Sequence, residues 1–65
     1  MSLGSALPAE QARARGLLAM YREIGSAGAF GVMVIEDALR RADQAAISGD
    51  VLAMMRSYEE LRGLK

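Results

Sequence analysis

The chain has 65 residues, no cysteine and no histidine, and its eight acidic side chains balance eight basic ones. A length of this order allows one small domain, near the lower limit of independent folding. Without cysteine there are no disulfides and no thiolate metal site. Without histidine the commonest general base and metal ligand are gone, and the balanced charge exerts no long-range pull toward nucleic acid or an anionic membrane.

Met1 to Leu7 has neither a basic start nor an apolar run, so it does not read as a secretory signal. Residues 1–7 are expected to form a flexible leader, and residues 8–65 a single small helical domain. The longest uncharged stretch, Ile24 to Ile35, is about half the length of a membrane-spanning helix. The expected location is the cytoplasm, with no membrane partner.

Pro8 suits the first turn of a helix, where its missing N–H costs nothing, and the first helix is expected over 8–24. Leu17, Leu18, Tyr21 and Ile24 form its large apolar stripe, with Ala14 beside them, while Gln11, Arg15 and Arg22 are expected to face water. Ala9, Ala12, Gly16 and Ala19 make a separate row of small residues. Gly25 is expected to end this helix in the left-handed conformation, and Ser26 to cap the next.

The second helix is expected over 27–48. Val32-Met33-Val34-Ile35 alone would pass for a buried strand, but a lone strand has no partner here and the apolar pattern continues into Ala38, Leu39 and Ala42. Gly28, Gly31, Ile35, Ala38, Ala42 and Ala45 recur at alternating steps of three and four, on one face of that helix. Only Ile35 is bulky, so another helix can approach closely. This seam is expected to serve as a helix-packing interface between copies of the chain, through Gly31, Ala38 and Ala42 in particular. Replacing Ala38 with Leu is then expected to weaken assembly. Phe30, Met33 and Ile47 fall toward the charged side, to be covered either by the first helix or by a second chain. The pairs Glu36/Arg40 and Asp37/Arg41 have the spacing of i, i+4 ion pairs on a solvated face.

Ser48-Gly49-Asp50 is the clearest local signal. Gly49 fits the position just past a helix end and Asp50 the N-cap of the next helix, expected over 51–62. So short a connection folds the second and third helices into an αα-hairpin. Val51, Met54, Met55, Tyr58 and Leu61 form the third apolar stripe, and Gly63 stops it. The fold expected is therefore all-α, three helices in a helical homo-oligomer.

No constellation for catalysis emerges. Glu59 and Glu60 are adjacent and point to different sides of a helix. Ser5, Ser26, Ser48 and Ser57 have no histidine or lysine placed by a motif to activate them. GSAGAFG lacks the strand and the GK[ST] ending of a phosphate loop. No metal or cofactor is expected, and the chain is expected not to be an enzyme. As a helix-turn-helix reader the third helix would set Arg56 and Arg62 against Glu59 and Glu60, so nucleic acid is not an expected partner.

Two resemblances add to this. Ala38 to Leu61, with Gly49-Asp50 at the turn, Tyr58-Glu59 in the second helix and small Ala42 and Ala45 in the first, resembles one tetratricopeptide-type hairpin. Met54 stands where that pattern has alanine, and there is no second copy, so a peptide-binding array is not implied. Over Leu18 to Gly63, the succession GSAGAFG, an alanine-rich helix, SGD and YEEL is similar to small helical proteins encoded by tailed phages and prophages of proteobacteria. That resemblance implies a phage-derived origin and carries over no catalytic residues. The function expected is a small protein-interaction module whose partner is itself or a host or phage protein. The alternative is a binder of a nucleotide-type ligand, held at an oligomer interface by Arg22, Arg40 or Arg41 with a tyrosine.

Overall fold

The computed structural model describes residues 2–65, and every element it contains is helical. Helical backbone runs unbroken for 46 residues, from Leu3 to Ser48. By uninterrupted runs the chain therefore has two helices, not three. A straight helix of that length would measure about 69 Å, yet the longest dimension of the molecule is 35 Å. The run folds back at a 3-10 turn, Gly25–Gly28, which divides it into α1 (Leu3–Ile24) and α2 (Ala29–Ser48); α3 (Val51–Arg62) follows.

The start of α1 corrects the expectation of a flexible leader over 1–7; Met1 lies outside the described residues. Helix begins at Leu3, with Ser2 as N-cap residue, and Ser5 and Ala6 donate their backbone N–H groups to the Ser2 carbonyl at 3.2 and 2.8 Å. Pro8 lies inside α1 rather than at its start. Proline there removes the N–H that would have reached the Gly4 carbonyl. Burial outweighs that loss. Leu7 is 0% exposed, and Leu3 and Ala6 share a concavity with Met55 and Tyr58 of α3.

Gly25 has φ 82° and ψ −141°, so the chain uses its freedom from a Cβ, but outside the left-handed helical basin. Ser26 does not cap α2: it lies within the 3-10 turn, and α2 begins at Ala29 with Gly28 as its N-cap residue. A reversal made of helical backbone needs no non-helical linker, which is why a break was expected where none exists.

The α2–α3 connection agrees with its sequence. Gly49 is left-handed (φ 71°, ψ 12°) and donates its N–H to the Ala45 carbonyl at 3.0 Å. An Asp50 carboxylate oxygen accepts from the Leu52 and Ala53 N–H groups at 3.1 and 3.3 Å. Two otherwise unpaired helix donors depend on it. Asp50→Ala is expected to cost about 1 kcal/mol, read as a lower midpoint in urea with an unchanged slope.

The three helices pack pairwise. Leu7, Ala14 and Leu18 of α1, Ile35, Ala38, Leu39 and Ala42 of α2, and Leu61 of α3 form one core, bordered by Leu17, Tyr21, Val32, Met54, Tyr58 and Leu64. Three members of the expected stripes are outside it: Ile24, Val51 and Met55 are exposed. Arg13 of α1 crosses to the end of α3, donating to the Leu64 and Leu61 carbonyls at 3.1 and 2.5 Å. Gln11 is partly buried and donates to Asp43 at 2.8 Å, whereas Arg15 and Arg22 stay exposed as expected.

Candidate interaction surface

The small-residue seam of α2 faces the inside of its own chain. Gly28, Ile35, Ala38, Ala42 and Ala45 are buried and Gly31 is partly buried. A Cβ on Gly28 would run into the Tyr21 backbone carbonyl oxygen, and one on Gly31 would lie 2.6 Å from Cδ1 of the Tyr21 ring. At the two glycines the close approach is thus made by Tyr21 of α1, while Ala38 and Ala42 lie in the core shared by all three helices. This corrects the expectation that Gly31, Ala38 and Ala42 meet a second copy, because the monomer's own packing already occupies that face. The other small row, Ala9, Ala12, Gly16 and Ala19, is exposed, with no heavy atom within 4 Å of where a Gly16 Cβ would stand.

What stays uncovered is apolar and lies elsewhere. Phe30 is 78% exposed and Met33 68%, and with Val34 they line a shallow hollow on the outer side of α2, rimmed by Glu36, Asp37 and Arg40. Of the two covers open to Phe30 and Met33, α1 is not the one. Met20 and Ile24, in the last turns of α1, are exposed as well, and no charged residue lies between Ile24 and Ile35. At the opposite end of α2, Ile47 is 87% exposed, followed by exposed Val51, Leu52 and Met55. Periodicity placed Phe30, Met33 and Ile47 off the core face. It missed Ile24, because a stripe fixes a side chain's direction and not how far the neighbouring helix extends. The α3 helix has 12 residues against 22 in α1.

Several charges around this surface are joined within the chain. Arg22 meets Glu36 at 2.6 Å, Arg40 meets Asp37 at 2.6 Å, and Arg41 bridges Asp37 and Glu60, both at 2.6 Å. The i, i+4 expectation holds for Asp37/Arg41 only; Glu36 reaches α1 instead of Arg40. The hydrogen bond and charge of Arg41 hold the Asp37 carboxyl below its ordinary value of 3.8, against an opposing effect of desolvation and with a lesser contribution from Arg40. The same two carboxylates push the Arg41 guanidinium further up. A depressed carboxyl pKa adds stability that is present above the unfolded value and lost as pH falls through the folded one. Asp37→Asn is therefore expected to lower thermal stability slightly at neutral pH, the pair being solvated, and to converge with the wild type as the pH falls below about 4. Melting curves of both proteins across that range check it.

Tyr21 packs its ring against Gly31 and donates its hydroxyl to the Lys65 carbonyl at 2.7 Å, while the Arg62 guanidinium lies 5.6 Å from the centre of the Tyr58 ring. Both tyrosines thus have structural employment. A groove between α2 and α3, lined by Arg41, Gln44, Ala45, Ser48, Ala53, Arg56, Ser57 and Glu60, is open to solvent, and its Arg41 is held by two carboxylates. Among the described residues no three acidic side chains cluster as metal ligands would. The helical run from Leu3 to Ser48 contains an 18-residue stretch of mean hydropathy 1.2, apolar and long enough to cross a membrane by composition and length alone. The chain matches no protein-family model, no curated protein and no solved structure.

Proposed function

We propose that this chain is a small non-enzymatic protein-interaction module, binding its partner through the outer side of the first half of α2. The observation that carries the reading is the hollow formed by Phe30, Met33 and Val34. Contiguous exposed apolar surface with a polar rim is the usual mark of a binding face on a small protein. A phage or prophage origin, a host or phage protein as partner, and a cytoplasmic location belong to the same proposal. The support for the phage origin and partner is the GSAGAFG…SGD…YEEL resemblance, and phage genes beside the coding sequence would strengthen it.

The nucleotide-type alternative finds less support. Arg22, Arg40 and Arg41 each engage a carboxylate of the same chain, so an anionic ligand would have to displace those pairs. A thermal-shift screen with nucleotides would reveal such binding by a raised melting temperature. The test of the interaction reading is affinity capture with the wild-type chain and with Phe30→Glu as baits. Proteins retained by the first and lost from the second support it. Identical captures by the two baits reject this face as the binding surface.

A further inference from the structure

We propose that the groove between α2 and α3 is a binding site for a small organic molecule carrying a single carboxylate, received by the Arg56 guanidinium and the Ser57 hydroxyl. This site is separate from the Phe30 and Met33 hollow and stands independently of it.

Ser57 is the residue that points to a ligand. It is only 5% exposed, one turn before buried Leu61 on α3, and it lines the groove. Ser48, also in the lining, donates its hydroxyl to the Ala45 carbonyl at 3.1 Å. The Ser57 hydroxyl has no hydrogen-bond partner among the described residues. No described polar side-chain atom is both sealed from solvent and unpaired, so this oxygen keeps an opening onto the groove. The fold has already stripped most water from the residue. An oxygen placed in the groove would therefore gain its proton at little further desolvation cost.

Arg56 supplies the charge. Among the described residues it is the one arginine with no carboxylate within salt-bridge distance. Its partner by helical spacing would be Glu60, four residues on. Both oxygens of Glu60 are engaged by Arg41 of α2, at 3.1 and 2.6 Å. That fork ties α2 to α3 and leaves Arg56 unopposed. Of the charged groups lining the groove, Arg41 and Glu60 cancel and Arg56 remains. One surplus guanidinium suits one carboxylate, whose two oxygens match its parallel N–H donors. A polyphosphate would find no second uncommitted arginine there.

The cavity suits the rest of such a molecule. It encloses about 640 Å³, within the range of small-molecule sites. Ala45 and Ala53 give it methyl-bearing walls against which an apolar body can lie, and Gln44 adds an amide that can donate or accept. Both walls are helices joined through the capped Gly49-Asp50 turn, so the site is formed before any ligand arrives.

The test is an NMR titration of amide ¹H and ¹⁵N shifts with sodium butyrate and sodium benzoate, to about 50 mM. Butyramide, benzamide and inorganic phosphate are run beside them at constant ionic strength. The two carboxylates are expected to give saturable shifts confined to the groove, centred on Ala45, Ala53, Arg56 and Ser57, and the amides and phosphate none. Arg56→Gln is expected to weaken binding about tenfold or more, and Arg15→Gln, whose partner is Asp43, to leave it unchanged. Ser57→Ala is expected to weaken binding several-fold while melting no lower than the wild type, because its hydroxyl has no partner to lose. Absence of saturable shifts with both carboxylates overturns the proposal. So do shifts of equal size from the amides, tighter binding of phosphate, or undiminished binding by Arg56→Gln. An equal loss in Arg15→Gln would mean general attraction of anions and overturns it too. A lower melting temperature in Ser57→Ala would place the hydroxyl in a bond within the chain and remove the donor the site requires.

Discussion

Leu7→Ala is expected to leave the protein close to its unfolding midpoint at room temperature. Leu7 is 0% exposed and joins all three helices in one core. Truncating such a leucine costs about 2–5 kcal/mol, through lost burial and the cavity left behind. A single core in a chain this short supplies little more than about 3–5 kcal/mol in total, so one substitution removes most of the margin. Far-UV circular dichroism and a urea titration read the outcome directly. The experiment also discriminates sharply, because a flexible leader would tolerate alanine at this position without consequence. A variant melting with the wild type would detach the first turns of α1 from the core.

Ala38→Leu is expected to lower the melting temperature at every protein concentration. Ala38 is 1% exposed and belongs to the core cluster that α1 and α3 also enter. Three added carbons have no room there, and overpacking of this kind costs about 1–3 kcal/mol. In a domain of this size each kcal/mol moves the midpoint by roughly 4–8 °C. Concentration separates the two roles the residue could have. Strain inside one chain gives the same shift in dilute and concentrated samples, whereas damage to a contact between chains gives a shift that grows or shrinks with mass action. A concentration-dependent shift with a lower sedimenting mass would restore the seam as an interface between copies.

Local chemistry was the legible part of the fold. Gly49 and Asp50 act through their own conformation and their own side chain, within three residues, so the turn, the cap and the bounds of α3 could all be read directly. The face of α2 formed by Ile35, Ala38, Ala42 and Ala45 was legible too, because helical periodicity alone decides which residues share a side. What lies against that face was not. Spacing carries no information on whether the neighbour is α1 of the same molecule or a helix of another, and the answer came from Tyr21 pressing on Gly28 and Gly31. Pro8 misled for a related reason. Its preference for a first turn is a local tendency of the backbone, overridden here by burial of Leu7 against residues that lie some fifty positions away in sequence. The binding face was half legible: Phe30 and Met33 stood out as apolar residues on a charged side, whereas the exposure of Ile24 follows from the shortness of α3.

Among the described residues, the largest side chains wholly removed from water stand far apart in sequence, at positions 7 and 61. No piece shorter than residues 7–61 holds both. A nick at Gly49 would part Leu61 from Leu7, and proteases would then degrade both halves. The core is thus closed by residues drawn from almost the whole of the described chain.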